Sequence, residues 1–307
     1  MHYLPAISIA FLGSLFLIVE CNAISISDET NHGNLDCSKF TRDLDVLRSF
    51  SYAVQLNPLI TTGKTYAIMN AASKVEELSI HHQINLPLDV FCLVNLHTLR
   101  VNSTPFVPQY ELDDDSISIG LSPLVSRLTR LRVLSLINTT ASYIPPQALA
   151  VLTNMTVLEI ESCGLYEIPS TISLLTKLQE LRLPKNHLRS APHSTAFKQM
   201  SKLTHLDLSH NYITDIADIG DIPSRVVATM DFSYNQIEHI PPEIGKFHYE
   251  LYYLYLNDNK LAYIPTDIFL LKYLRRVDLQ RNPFPADEIK AIKTKFQSTI
   301  SNGLLTI

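Results

Sequence analysis

The chain lacks the features that mark nucleic-acid-binding proteins and the common classes of enzyme. Its 307 residues carry a net charge of −5 and contain no run of Lys or Arg, which argues against a nucleic-acid partner. The motifs Gly-x-Ser-x-Gly, His-Glu-x-x-His and paired Cys-x-x-Cys, which position nucleophiles or zinc ligands, are also absent. We therefore expect no catalytic residue, no metal site and no cofactor, and an enzyme is kept only as a remote alternative.

Cysteine is scarce, and its number limits the possible disulfides. Of the four cysteines, Cys21 lies in a candidate leader segment, which leaves Cys37, Cys92 and Cys163. Three is an odd number, so these cysteines do not form a disulfide framework. One disulfide, between Cys37 and Cys92, is possible and would hold the N-terminal segment against the first of the repeats described below.

Long apolar runs are missing after the first 23 residues. Ile7 to Val19 is an apolar stretch followed by small residues, which predicts a signal peptide at residues 1–23 with cleavage after Ala23. This stretch is too short to span a membrane comfortably, and no later segment is long enough to do so. The sequence therefore predicts a secreted, extracellular protein without a membrane span.

What the chain does contain is a repeated unit, which is most regular from Leu251 to Pro265. The stretch LYYLYLNDNKLAYIP has leucine at its first, fourth, sixth and eleventh positions and asparagine at its ninth, and it ends in Ile-Pro. Most units are close to 24 residues long, and the second unit, of 35 residues, is the exception. The nine units begin at Val75, Leu96, Leu131, Met155, Leu178, Leu203, Val227, Leu251 and Leu274.

The segments that follow the strands of these units also recur, as in IPPQALAVLTNM, IPSTISLLTKL and IPTDIFLLKYL. They resemble the short "typical" class of leucine-rich repeat, L-P-x-x-I-x-x-L-x-x-L, over residues 75–285. The resemblance implies an α/β solenoid, a horseshoe of about nine repeats with a parallel β-sheet on its concave face. Proteins of this class include intracellular Ras-associated scaffolds and extracellular recognition proteins.

Each unit is expected to turn sharply after its strand, which leaves buried backbone groups that need hydrogen-bond partners. An asparagine side chain both donates and accepts, so it can join the turns of successive units. In the earlier units Thr104, Thr139 and Cys163 take the same position, and we expect Cys163 to be a buried thiol. The asparagine ladder is predicted at Asn186, Asn211, Asn235, Asn259 and Asn282.

The ends of the array are expected to be capped, because an end repeat would otherwise expose its core. Residues 24–74 are predicted to be an N-terminal capping region with a helix from Asp36 to Gln55, where apolar residues recur near a 3.6-residue period. Residues 286–307 are predicted to be a C-terminal capping helix, with an apolar stripe along Ala286 to Ile300. The acidic insertion of the second unit, Pro108 to Pro123, is predicted to be a solvated loop.

The outward residues of the later strands are the candidate ligand-binding site. Tyrosine and arginine on a rigid surface bury a large area at low entropic cost, and neighbouring aspartates would add specificity. The alternative is that these tyrosines simply pack side by side along the sheet. The candidate residues on the concave face are His205, Asp207, His210, Asp231, Tyr234, Tyr253, Tyr255, Asp258, Arg276 and Asp278.

Three Asn-x-Ser/Thr sequences could carry glycans if the chain is secreted: Asn102, Asn138 and Asn154. Asn102 and Asn138 would lie at the rim of the concave face, where a glycan would cover its early half. No such sequence follows Asn154, so the later half of the face would stay open.

The sequence thus favours a secreted, non-catalytic module that binds a protein or a glycan on its concave face. The main alternative is an intracellular scaffold or regulatory subunit for a signalling protein. The identity of the ligand and the oligomeric state are left open by the sequence.

Overall fold

The computed structural model describes residues 35–105, 110–111, 117–118, 120–223, 227–300 and 303–307. The predicted signal peptide at residues 1–23 lies outside this described part, and so do Asp113 to Asp115 of the acidic insertion. The chain divides into two units, residues 1–36 and 37–307, and the fold below is that of the second unit.

The second unit is built mainly from short β-strands. In most units a strand begins two residues after the first residue of the predicted repeat. This regular spacing confirms the predicted repeat array. The strands are β1 (Gln55–Leu56), β2 (Tyr66–Met69), β3 (Val75–His81), β4 (Thr98–Asn102), β5 (Tyr110–Glu111), β6 (Ile117–Ser118), β7 (Val133–Ile137), β8 (Val157–Glu161), β9 (Glu180–Arg182), β10 (His205–Asp207), β11 (Thr229–Asp231), β12 (Tyr253–Tyr255), β13 (Arg276–Asp278) and β14 (Leu304–Thr306).

Helical segments connect these strands on the other side of the core. The α-helices are α1 (Asp43–Arg48), α2 (Pro146–Ala150), α3 (Ser194–Phe197) and α4 (Ala286–Thr299). The 3₁₀ segments are Cys37–Lys39, Leu88–Cys92, Pro123–Arg127, Ser170–Leu174, Ala217–Asp221, Pro242–Phe247 and Thr266–Leu270. The longest described helix has 14 residues, and none of the described helices has both the length and the apolar character needed to cross a bilayer.

Twelve of the described strands form one sheet in the order β1-β2-β3-β4-β7-β8-β9-β10-β11-β12-β13-β14. All neighbours in it are parallel except β2 and β3, so the predicted parallel sheet is confirmed. The register is constant along the later strands: Leu206, Met230, Leu254 and Val277 lie side by side. Equivalent residues of successive repeats therefore form straight rows across the sheet.

The core is a continuous column of these inward residues and of the apolar residues of the return segments. Leu254 of β12 and Leu256, which directly follows it, are completely buried, as the alternation along this segment predicts. Phe197 and Phe232 are also completely buried, so the larger side chains fill the width between the strands and the return segments.

The asparagine ladder lies along one edge of this core. The Asn235 Nδ2 group lies within hydrogen-bonding distance of the carbonyl oxygens of Leu208, at 3.0 Å, and Phe232, at 3.1 Å, and its Oδ1 accepts from Ile213 N at 3.0 Å. Asn186, Asn211, Asn259 and Asn282 have equivalent contacts in their repeats. Each ladder side chain therefore satisfies backbone groups of both its own repeat and the preceding one.

The N-terminal cap is less helical than the sequence predicts. Helix α1 covers only Asp43–Arg48, although the predicted helix ran from Asp36 to Gln55. The Ser49 hydroxyl lies within hydrogen-bonding distance of the Val46 carbonyl, at 2.7 Å, and of Asp89 Oδ2, at 2.9 Å, so it competes with the backbone at the helix end. Further on, Gln55 begins strand β1 and pairs with β2 instead of continuing the helix.

The C-terminal cap contains a strand that the sequence analysis missed. Helix α4 runs from Ala286 to Thr299 and buries Ile292 and Phe296, as the apolar stripe predicts. The prediction of helix alone was incomplete, because β14 then adds a parallel strand beside β13. A Cβ atom on Gly303 would lie 2.7 Å from the Leu274 carbonyl oxygen, so the absence of a side chain lets the chain approach the sheet.

Candidate recognition surface

The outward side chains of the later strands, together with those of the turns that follow them, form three rows across the concave face. The first residue of each strand gives the first row, which contains His205, Tyr253 and Arg276 from the predicted set. The last residue of each strand gives the second row, which contains Asp207, Asp231, Tyr255 and Asp278. The structure thus brings these seven predicted residues together on four adjacent strands.

The third row, which we call the rim row, consists of the residue that precedes each ladder position. These residues have positive φ angles between 48° and 56°, a backbone conformation that residues other than glycine adopt infrequently. The rim row contains the remaining three predicted residues, His210, Tyr234 and Asp258. The rim row is His82, Ser103, Asn138, Ser162, Lys185, His210, Tyr234, Asp258 and Arg281.

Two adjacent carboxylates occupy the centre of the second row. Asp207 and Asp231 are register neighbours, and no cationic side chain of the described residues lies within 4.0 Å of either one. Asp231 Oδ1 accepts hydrogen bonds from the Ser233 amide at 2.9 Å and from the Ser233 hydroxyl at 2.6 Å. Burial raises the pKa of Asp231, and the charge of Asp207 adds to this, whereas the Ser233 bonds oppose it.

The two tyrosines of β12 lie on the strand next to that of Asp231. Tyr253 and Tyr255 are half-buried, and Tyr255 lies between Asp231 and Asp278 in the register. Arg276 lies 5.7 Å from the centre of the Tyr255 ring and pairs with Asp278 at 3.4 Å. Burial raises the pKa of Tyr255, so its hydroxyl is a hydrogen-bond donor at neutral pH.

The rim row contains a residue that the sequence analysis missed, Arg281. Its guanidinium donates to both oxygens of Asp258, each at 2.5 Å, and to the Tyr234 hydroxyl at 3.0 Å. His210 stacks on Tyr234 with ring centres 4.0 Å apart and 10° between the ring planes. The signal was present in the sequence, because Arg281 precedes Asn282 as Asp258 precedes Asn259.

These contacts make Asp258 a structural partner of Arg281 rather than a free carboxylate. The Arg281 hydrogen bond lowers the pKa of Asp258, so the carboxylate stays ionised and keeps its partner. The rim around Tyr234 is therefore a connected group of side chains held in place by the protein itself.

The charges on the earlier strands are mostly paired with one another. Arg100 bonds Glu77 at 2.6 Å, Arg182 bonds Glu180 at 2.7 Å, and Lys185 bonds Glu161 at 2.7 Å. Among the described residues, the unpaired carboxylates Asp207 and Asp231 therefore set the later part of the concave face apart.

The three glycosylation candidates lie at different places. Asn138 is exposed in the rim row, and its Nδ2 group donates to the Ser103 hydroxyl at 3.1 Å. Asn102 is the half-buried last residue of β4. Asn154 is exposed away from the strands, where Lys177 donates to its Oδ1 at 2.7 Å.

The cysteines also have distinct places in the structure. A disulfide joins Cys37 to Cys92 in the return segment between β3 and β4. Cys163 is a buried free thiol, and burial raises its pKa, which disfavours the reactive thiolate. No group of three or more His, Cys, Asp or Glu side chains in the described part of the chain is arranged to hold a metal ion.

The family model described as "Leucine rich repeat" matches residues 176–224. The adenylate cyclase of Schizosaccharomyces pombe is 32% identical over 200 residues, which make up 61% of this chain and 11% of that protein. Lumican of Gallus gallus is 33% identical over 128 residues, which make up 41% of this chain and 35% of lumican. The chain thus spans between about a tenth and about a third of the length of these curated relatives.

Among solved structures, the chain is similar to the LRR ectodomain of the plant membrane receptor kinase GASSHO1/SCHENGEN3 from Arabidopsis thaliana, in complex with CASPARIAN STRIP INTEGRITY FACTOR 2. The TM-score is 0.51 at 19% sequence identity, and the match covers 78% of this chain and 31% of the ectodomain. At this identity the likeness establishes the shared solenoid fold and nothing about the ligand.

Proposed function

Because the chain is a leucine-rich repeat protein, we propose that it is a secreted recognition module whose concave face binds a protein ligand. The observation that carries the proposal is the cluster of Tyr253 and Tyr255 beside the unpaired carboxylates Asp207 and Asp231. Half-buried tyrosines on a rigid sheet provide contact area without a large loss of side-chain entropy.

The ligand should present a lysine or arginine to the second row. Two adjacent carboxylates without a cationic partner repel each other, and a cation placed between them would remove this repulsion. The ordered rim around Tyr234 would then lie beside the bound segment, because it borders the same four strands.

The proposal is tested with the secreted protein as bait for proteins of the extracellular fluid. A Tyr253→Ala/Tyr255→Ala double variant should retain the fold but bind the captured ligand about 30-fold more weakly, because loss of an aromatic hot spot costs about 2 kcal/mol or more. The matched control is Tyr249→Ala/Tyr273→Ala, which removes two exposed tyrosines that are not on the strands. Equal binding by both double variants would contradict the proposed site.

The second candidate function is an intracellular scaffold or regulatory subunit, which the similarity to part of an adenylate cyclase favours. The disulfide between Cys37 and Cys92 supports the secreted alternative, because disulfides persist in oxidising compartments. N-terminal sequencing discriminates between the two: recovery of a chain that begins at Ile24 from the culture medium would exclude the intracellular alternative.

A further inference from the structure

A cavity of about 570 Å³ opens beside the asparagine ladder, outside the three rows of the concave face. Its lining residues come from the segments that directly follow the ladder positions of four successive repeats. We call it the flank cavity, and it is lined by Tyr166, His187, Arg189, Tyr212, Thr214 and Gln236.

The residues that line the flank cavity belong to a backbone with regular hydrogen bonds between repeats. The amides of His187, Tyr212 and Gln236 donate to carbonyls of the preceding repeat, each at 2.8 Å. Two of the carbonyl groups that accept these hydrogen bonds belong to Leu188 and Ile213, whose side chains are buried in the core. The backbone positions that carry the lining side chains are therefore fixed relative to one another, which favours a preformed binding site.

Aromatic rings form one wall of the cavity. The ring centres of Tyr166 and His187 are 5.0 Å apart, and those of His187 and Tyr212 are 5.8 Å apart. Tyr166 is 65% exposed and Tyr212 is 49% exposed, so their rings are open to a ligand. The face of such a ring is electron-rich and attracts weakly positive C–H groups.

Arg189 supplies the positive charge of the cavity. It is exposed, and no carboxylate in the described part of the chain lies within 4.0 Å of its guanidinium. By contrast, the guanidinium groups of Arg182 and Arg281 have carboxylate partners. A free guanidinium beside aromatic rings can bind a planar or tetrahedral anion through two parallel hydrogen bonds.

The lining chemistry selects the class of ligand. None of the six lining side chains is aliphatic, and each carries a group that can form a hydrogen bond. A saccharide matches this combination, because it has many hydroxyl groups and an apolar C–H face, whereas an aliphatic peptide anchor does not. We propose that the flank cavity binds an anionic saccharide, with sugar rings on Tyr166 and Tyr212 and a carboxylate or sulfate group on Arg189.

The experiment measures saccharide binding to the intact protein by isothermal titration calorimetry. A hyaluronan hexasaccharide offers carboxylates alone, a carrageenan oligosaccharide offers sulfates alone, and fully N-acetylated chitohexaose, called chitohexaose below, is neutral. At least one of the two anionic probes should bind, and chitohexaose should bind about tenfold more weakly or not at all. Arg189→Gln should weaken binding of the anionic probe about tenfold, since a charge-assisted hydrogen bond contributes about 1.5 kcal/mol or more.

Tyr212→Ala should also weaken binding, by about fivefold to tenfold. Its matched control is Tyr263→Ala, because Tyr263 is likewise 49% exposed and pairs with a histidine ring, that of His239 at 5.4 Å. Arg275→Gln makes the same charge change as Arg189→Gln at another exposed arginine, and it should leave binding unchanged.

Several results would overturn the proposal. These are no binding of either anionic probe, equal binding of chitohexaose, or equal weakening by Arg189→Gln and Arg275→Gln. Binding of a polyglutamate peptide in place of both saccharides would assign the cavity to acidic protein segments instead. None of these results depends on Tyr253 or Tyr255, so the concave face and the flank cavity are tested separately.

Discussion

Asp231 is held in an environment that disfavours its charged form. Burial raises its pKa above the ordinary value of 3.8, and its Oδ1 is already bonded to Ser233. The folded protein therefore binds more protons at this site than the unfolded chain does. As the pH rises past 3.8, the contribution of Asp231 to the free energy of unfolding becomes less favourable.

Asp231→Asn should therefore stabilise the fold at pH 7. Asparagine keeps an oxygen for the Ser233 bonds and removes the repulsion with Asp207, so a gain of up to about 1 kcal/mol is expected. Urea denaturation measured at several pH values checks this, because the gain should shrink as the pH falls towards 3, where the wild-type carboxyl is also neutral. Glu238→Gln, at an exposed site, is the control, and an equal gain there would contradict the argument.

The same substitution connects stability to the proposed binding of a cation. If a lysine or arginine of the ligand lies between Asp207 and Asp231, Asp231→Asn should weaken binding although it stabilises the free protein. Such opposition between stability and function is expected at binding sites that retain unpaired charge.

Among the elements, helix α4 is the one that closes the open end of the core. Ile292 and Phe296 are 2% and 6% exposed, and Phe296 lies beside the position where Gly303 lets β14 approach the sheet. A stacked array needs such a cover, because its last repeat has no following repeat to bury its apolar residues.

Phe296→Ala should destabilise the C-terminal repeats by about 3 kcal/mol, the cost of deleting a large buried side chain. Native-state hydrogen exchange should show the loss of protection first in β13 and β14, and later in strands nearer the N-terminus. Lys293→Ala changes an exposed residue of the same helix and should cost less than about 0.5 kcal/mol. Uniform loss of protection along the sheet would show that α4 is not a local cap.

At the scale of the whole molecule, the Cys37–Cys92 disulfide ties the segment before the array to its first return segment. The two cysteines are 55 residues apart in sequence, so the bond restricts a long loop of the unfolded chain. Lys39 also pairs with Asp89 of the same return segment at 3.0 Å. The N-terminal end is thus closed by a covalent bond, and the C-terminal end by a helix and a strand.

Cys37→Ser/Cys92→Ser should lower the free energy of unfolding by about 2–4 kcal/mol, the usual effect of losing a disulfide. Thiol alkylation of the purified protein checks the bond directly: the unfolded, unreduced protein should react at Cys163, and Cys37 and Cys92 should react after reduction. Labelling of Cys37 without reduction would contradict the disulfide. Cys163→Ala is the control for loss of a buried thiol that forms no disulfide.

The sequence by itself determined the solenoid and its period. The alternation at Leu254 and Leu256 predicts the inward side of β12, and Asn259 predicts the turn that follows, because both depend on positions within one repeat. The outward positions of the concave face follow from the same alternation, which is why the structure groups the predicted residues on adjacent strands.

Only the tertiary structure decided how side chains of different repeats meet. Arg281 takes Asp258 as its partner across 23 residues, whereas Asp207 and Asp231 of the same concave face have no cationic partner among the described residues. Strand β14 likewise depends on the close approach of its backbone to the sheet, and the flank cavity depends on ring contacts between residues of successive repeats. The repeat spacing places such residues in neighbouring turns, but side-chain rotamers and the close stacking of successive turns select the contacts, and these are properties of the packed chain.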